Sequence, residues 1–262
     1  MNIISQVLYQ KTISNSRALI PFLTAGYPDI KTTIEALHVL DRQGADLIEL
    51  GIPYADALAD GHVIQQASQV ALQQGVYFNK VLEILSKVKL SISTPIIIFT
   101  YYNPILVHGI HDFISRISDM NVKGLIVPDL PLEEVDYLLD ICHTFKVELI
   151  LFVAPTSSYD RINTILSKSS DCIYLVSSTG VTGTRQHISS RVTQLANYIK
   201  SKTNKKIMIG FGISNAEQVS EICTWNIDGI VIGSAILKMI SQDTSLELLC
   251  DFCKSIKSAI NQ

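Results

Sequence analysis

Residues 47–61 read LIELGIPYADALADG. The first five form an aliphatic run interrupted by one carboxylate, Glu49. The chain then turns at Pro53, passes Asp56 and Asp60, and enters a helical pattern near Val63. This is a strand–loop–helix unit with its polar residues at the strand's end and in the loop. An apolar parallel strand tolerates an unpaired carboxylate poorly, because taking the charge out of water costs several kcal/mol. Glu49 therefore either has a partner or works as an acid or base with a shifted pKa. Asp60 can approach the same cavity, and two carboxylates in different surroundings can divide acid and base roles. The plainer reading is a structural ion pair, with Asp60 as a helix cap.

The same unit recurs. Short β-branched runs occupy 18–23, 46–50, 95–100, 124–127, 148–153, 172–176, 206–209 and 229–232. Helical patterns occupy 31–43, 63–74, 78–90, 111–120, 132–144, 158–168, 191–202, 216–223, 234–240 and 246–260. Asp29 is placed to cap the first of these helices. Strands that alternate with helices predict a parallel sheet. Eight such units in 262 residues predict a closed (β/α)8 barrel of the TIM-barrel class, one domain over 1–262, rather than an open doubly wound sheet. In that fold the active residues belong at the C-terminal ends of the strands and in the loops that follow.

Composition agrees with a sheet buried on both faces: 47% of residues are hydrophobic and 17% charged. A formal net charge of −3 gives no electrostatic footprint for nucleic acid or an anionic membrane. The five cysteines match no disulfide framework, and the Cys250/Cys253 pair reads as packing in a C-terminal helix rather than a metal or redox motif. His108 and His111 read as a solvated turn, and no metal is expected. The N-terminus lacks a secretory pattern and no stretch reaches a membrane span, so the sequence reads as a reduced, soluble protein.

Glycines cluster late in the chain: SSTGVTGTR at 177–185, GFGIS at 210–214 and GSAI at 233–236. Glycine lets backbone N–H groups approach an anion, and Ser234 stands where a short helix would begin. Three such turns after the sixth, seventh and eighth strands predict a phosphate site, where barrels commonly hold one.

These residues carry a resemblance. With PFLTAGYPD at 21–29, IELGIPYADALADG at 48–61, TYYNPI at 100–105, GLIVPDLPLEE at 124–134, LFVAPTS at 151–157, YLVSSTGVTGTR at 174–185 and VIGSA at 231–235, the chain resembles the tryptophan synthase α-subunit family from about residue 17 to about residue 240. The serines before Gly180 are similar to the cyanobacterial and plastid branch. The resemblance implies a carbon–carbon lyase of tryptophan biosynthesis. The reaction would be retro-aldol cleavage of indole-3-glycerol phosphate to indole and glyceraldehyde 3-phosphate, with no cofactor in this subunit. It implies a β-subunit partner carrying pyridoxal phosphate, an α2β2 assembly and indole transfer between subunits. Glu49 matches the general acid/base, and Asp60 the carboxylate that contacts the indole N–H. Phe22, Tyr102, Tyr174 and Phe211 match positions around the indole. Gly183, Gly212, Gly233 and Ser234 match the phosphate cradle, and Thr182 a mobile residue that closes over substrate. Since adjacent strand residues point to opposite faces, Tyr102 rather than Tyr101 is expected in the pocket.

Pro53, Asp56, Asn103, Pro104, Asp129 and Pro131 are expected on the partner-facing surface. Where the family usually reads Phe-Ser-Asp-Pro, this chain has Tyr54–Ala55–Asp56–Ala57, and His62 replaces a frequent Pro. Ala57 is expected to loosen that loop. Two other functions stay open: a stand-alone lyase that releases indole, and an interaction subunit without chemistry, against which Glu49 and Asp60 argue. A cytoplasmic or plastid-stroma location is expected.

Overall fold

Eight parallel strands pair in chain order and close on themselves: β1 (Ala18–Thr24), β2 (Ile48–Gly51), β3 (Ile96–Phe99), β4 (Gly124–Ile126), β5 (Glu148–Val153), β6 (Cys172–Val176), β7 (Lys206–Gly210) and β8 (Gly229–Ile232). This computed structural model describes residues 2–176, 185–210 and 212–261, with 185–189 by backbone alone. The strands are short and almost wholly buried because both faces are covered, which is why they read as continuous Ile/Val/Leu runs. Their two faces serve two cores. Leu19, Leu23, Ile48, Leu50, Ile96 and Ile98 point outward against the helices. Ile20, Phe22, Leu47, Ile97, Phe99 and Met208 point inward and fill the barrel.

The surrounding helices are α1 (Ile3–Ile13), α2 (Ile30–Arg42), α3 (His62–Gln73), α4 (Phe78–Val88), α5 (Tyr102–His108), α6 (Ile110–Asp119), α7 (Val135–Thr144), α8 (Tyr159–Lys168), α9 (Arg185–Lys202), α10 (Ala216–Cys223), α11 (Ser234–Gln242) and α12 (Glu247–Ile260). Asp29 caps α2 as expected, accepting a hydrogen bond from the Thr32 N–H. Ser158 caps α8 in the same way.

Two helices escape the sequence reading. α1 begins after Asn2, a residue type that favours helix starts, although its side chain makes no capping bond here. It plugs the barrel floor with Ile4 and Leu8, which join the inner core. α5 contains Pro104, which reads as a turn. Pro104 in fact stands in the helix's first turn, where its missing N–H is not needed. The expected helix over 132–144 is split into a 3-10 turn, Leu132–Glu134, and α7, and α9 begins six residues earlier than expected.

Candidate active site

Four carboxylates on or beside the barrel strands are largely buried, and three have partners. Asp46, before β2, pairs with Lys11 at 2.7 Å and Lys257 at 2.6 Å. Asp228, before β8, pairs with Lys200 at 2.5 Å and accepts from the Ile207 N–H at 2.8 Å. Glu148, opening β5, accepts from the Ser5 N–H, the Ser5 hydroxyl and the Ser170 hydroxyl. All three lie at the N-terminal ends of strands, where polar residues serve stability. Glu49 differs. It sits within β2, opposite Phe22 on β1 and Ile97 on β3. Only 2% of it is exposed, and its Oε2 has no hydrogen-bond partner among the described residues. Burial, and then the negative charge of Asp60, push its carboxyl up to about 8. The ion-pair reading therefore fails for Glu49.

Asp60 is not a helix cap either: the residue before α3 is Gly61, and no side chain caps that helix. Burial raises the Asp60 carboxyl to about 6, and a hydrogen bond from Tyr101 opposes the rise. The Tyr101 hydroxyl donates to Asp60 Oδ2 at 3.1 Å and accepts from the Ala59 N–H at 3.0 Å. From α3, Gln65 Nε2 donates to the carbonyls of Ala57 at 3.1 Å and Asp60 at 3.0 Å. Ala57 itself is buried in the inner core. The loop expected to be loosened by Ala57 is thus fastened at Ala57, Ala59 and Asp60.

An aromatic wall encloses these carboxylates. Phe22 and Phe99 meet edge to face at 5.8 Å, and Phe99 and Tyr101 do so at 6.1 Å. Tyr174 is buried on β6 with Phe152 at 4.8 Å. Glycines make room for the rings: a Cβ on Gly51 would stand 2.7 Å from Phe22 Cζ, and one on Gly210 would stand 1.9 Å from the Tyr174 hydroxyl.

Tyr102 is not part of this wall, which corrects the expectation. It heads α5, lies half-buried against the outer core, and its N–H donates to Asp129 Oδ1 at 2.8 Å. Tyr101 faces inward because it continues the parity of Ile97 and Phe99, both inner-core residues. The signal was strand parity, but it needs the register of Glu49 with Ile97, which sequence alone does not supply. Thr24, at the end of β1, has its Oγ1 buried without a hydrogen-bond partner among the described residues. It shares parity with Phe22 and so ends β1 on the inner face.

On the β8 side, Gly233 precedes α11, whose first turn begins at Ser234 with no side-chain cap, leaving its leading N–H groups open to an anion. A Cβ on Gly233 would stand 3.4 Å from Phe22 Cδ1, so this cradle adjoins the aromatic wall. Gly212 has φ +77° and open space around it. Thr182, Gly183 and Phe211 lie outside the described residues.

Among the residues expected to face a partner, Asp56, Asn103, Asp129 and Pro131 are exposed and Pro104 is half-buried. Pro53 is buried, so it shapes the loop rather than offering a contact surface. Cys253 is buried in the outer core and Cys250 packs against it, as the packing reading has it. Among the described residues, no group of three metal-ligating side chains converges, and no helix is long and apolar enough to cross a membrane.

Residues 8–258 match the family model described as tryptophan synthase alpha chain. The chain is 59% identical to the tryptophan synthase alpha chain of Gracilaria tenuistipitata var. liui, over 100% of this chain and 98% of that one. It is 52% identical to that of Synechocystis sp., over 93% of this chain and 94% of that one. A solved structure from Aquifex aeolicus VF5 superposes with a TM-score of 0.91 at 32% identity, covering 99% of each chain. Mycobacterium tuberculosis tryptophan synthase superposes with a TM-score of 0.91 at 27% identity, covering 99% of this chain and 98% of that one. With its length, its barrel and its sequence all matched, the chain belongs to the tryptophan synthase alpha chain family.

Proposed function

We propose that this chain cleaves indole-3-glycerol phosphate to indole and glyceraldehyde 3-phosphate, with Glu49 moving the protons and Asp60 holding the indole N–H. The observation that carries the reading is a buried carboxyl held up at about 8, its Oε2 without a hydrogen-bond partner among the described residues, near a second carboxyl at about 6 and beside an aromatic wall. Near neutral pH Glu49 is protonated and Asp60 is largely ionised. Glu49 gives its proton to C3 of the indole, and the positive charge that develops on the ring falls against Asp60. The carboxylate left on Glu49 then takes the proton from the hydroxyl of the glycerol carbon bonded to C3. The bond between those carbons breaks, its electrons restore the aromatic ring, and the carbon becomes the aldehyde. Glu49 ends protonated, as it began. Phe22, Phe99 and Tyr174 flank the ring. Gly212, Gly233 and the start of α11 at Ser234 hold the phosphate together with Thr182 and Gly183.

The reaction needs no cofactor in this chain. We further propose a β subunit that carries pyridoxal phosphate and receives the indole in an α2β2 assembly. Support comes from the barrel mouth, where Leu58 is 92% exposed, Val107 72% and Leu106 50%, amid Asp56, Asn103, Asp129 and Pro131. The similarity to the Synechocystis chain supports a cytoplasmic or plastid-stroma location. The hydrogen bonds that fasten the loop after β2 without a partner favour the second reading, a lyase that also works alone.

Incubating the purified chain with indole-3-glycerol phosphate, with and without a tryptophan synthase β chain, tests the proposal. Indole and glyceraldehyde 3-phosphate in equal amounts are expected. Absence of both products under either condition overturns it.

A further inference from the structure

The loop after β2 carries a side chain that the reaction itself does not use. Tyr54 lies half-buried at the barrel mouth, and its ring stacks on Tyr101 with centroids 5.1 Å apart and planes 30° apart. Its hydroxyl accepts from Asn103 Nδ2 at 3.4 Å. Tyr101 in turn holds the main chain at Ala59 and the carboxylate of Asp60 through one hydroxyl group. Tyr101 also meets Phe99 in an edge-to-face contact, with centroids 6.1 Å apart. A stacked neighbour blocks the ring from swinging out of its own plane towards that neighbour. Such a swing of Tyr101 about its Cα–Cβ bond would carry its hydroxyl away from Asp60.

From this geometry, and resting on the reading of Asp60 given above, we propose that Tyr54 is a positioning residue: its ring holds Tyr101 so that the Tyr101 hydroxyl keeps Asp60 ionised and aimed at the substrate. Tyr54 touches neither carboxylate. The same contacts tie three loops together. Tyr54 bridges the loops after β2 and β3 through Asn103, and Tyr102 joins β3 to the loop after β4 through Asp129. Movement at the exposed residue Asn103 would therefore reach Asp60 through Tyr54 and Tyr101.

The groups acting on Asp60 fix the sign of the pH effect. Glu49 on β2 and Tyr174 on β6 are coupled to it electrostatically, and Asp129, after β4, acts on Tyr101. Tyr101 donates to it directly. Loss of that donated hydrogen bond leaves burial unopposed, so Asp60 gains its proton at a higher pH. Activity that needs ionised Asp60 then starts to fall at a higher pH on the acid side.

The test is the pH profile of kcat and KM for indole release from indole-3-glycerol phosphate by the full chain. It covers wild type, Tyr54→Leu, Tyr54→Met, Tyr54→Phe, Tyr101→Phe, Tyr101→Phe combined with Tyr54→Leu, and Asp60→Asn. Thermal melting shows that each is folded. The two ring-less variants are expected to lower kcat about tenfold with little change in KM, and to move the acid limb up by roughly half a pH unit. Tyr54→Phe, which keeps the stacked ring, is expected to restore most of the rate and the limb. Tyr101→Phe should shift the limb similarly, and adding Tyr54→Leu to it should change little more. An unmoved acid limb in folded Tyr54→Leu and Tyr54→Met overturns the proposal, as does a double variant whose losses multiply. Full activity in Asp60→Asn would instead overturn the reading of Asp60, and the role of Tyr54 with it.

Discussion

The charge of Asp60 acts on Glu49, yet the surroundings of the two carboxyls set them apart. Glu49 is buried in β2 without a partner for Oε2, and its carboxyl rises to about 8. Asp60 receives a proton donor in Tyr101 and rises only to about 6. Two interacting carboxyls titrate as a pair, so activity should follow two apparent pKa values that belong to both. In the proposed reaction the working form has Glu49 protonated and Asp60 ionised. Cleavage should therefore fall as pH drops below about 6, where Asp60 takes up a proton, and as pH rises above about 8, where Glu49 loses its own. A kcat/KM profile between pH 5 and pH 10 checks this; a profile flat across the range would contradict the division of labour. Glu49 was legible in the sequence as an unusual buried carboxylate, because a charge inside an aliphatic run demands an explanation. Tyr101 was not, because Tyr101 and Tyr102 are the same residue type side by side, and only the pairing of β2 with β3 shows which one shares the face of Ile97.

The elements were legible wherever their patterns were strong. The eight strands read clearly because each is an aliphatic run between turns, and the chain-order pairing follows from the helices between them. α1 starts after a single Asn2 that makes no capping bond, and α5 hid behind a proline, so both were passed over. The phosphate end shows what an element contributes beyond its side chains. α11 begins at Ser234 with no side-chain cap, and Gly233 sets its first N–H groups beside the aromatic wall. Gly233 has φ −110°, which any residue adopts, and the nearest atoms to an added Cβ stand at 3.4 Å. Gly233→Asp should therefore fold, and its negative charge should weaken glycerol 3-phosphate binding by roughly tenfold or more. Calorimetric titration measures this. Unchanged affinity in a folded variant would move the phosphate elsewhere.

In the molecule as a whole, the two ends of the barrel have opposite characters. The N-terminal end carries paired charges: Asp46 with Lys11 and Lys257, and Asp228 with Lys200 and Lys206. The C-terminal mouth carries Glu49, whose Oε2 has no partner among the described residues, exposed apolar side chains and loops joined by Tyr54, Tyr101 and Asp129. A partner that docks on that mouth would act on the loop holding Asp60, favouring the ordered arrangement. Cleavage measured across a titration of β chain should rise severalfold, and Asp56→Ala should weaken the response while leaving the unassisted rate in place. A rate indifferent to β chain, in wild type and variant alike, would mark the chain as a lyase that works alone.

The most direct measurement is the turnover of Glu49→Gln, which keeps the shape of the side chain and removes its proton chemistry. Steady-state indole release should fall by roughly 10²–10⁴-fold, with glycerol 3-phosphate still bound and the melting temperature not lowered. Turnover near the wild-type rate in that folded variant would contradict the assignment of the proton transfers to Glu49.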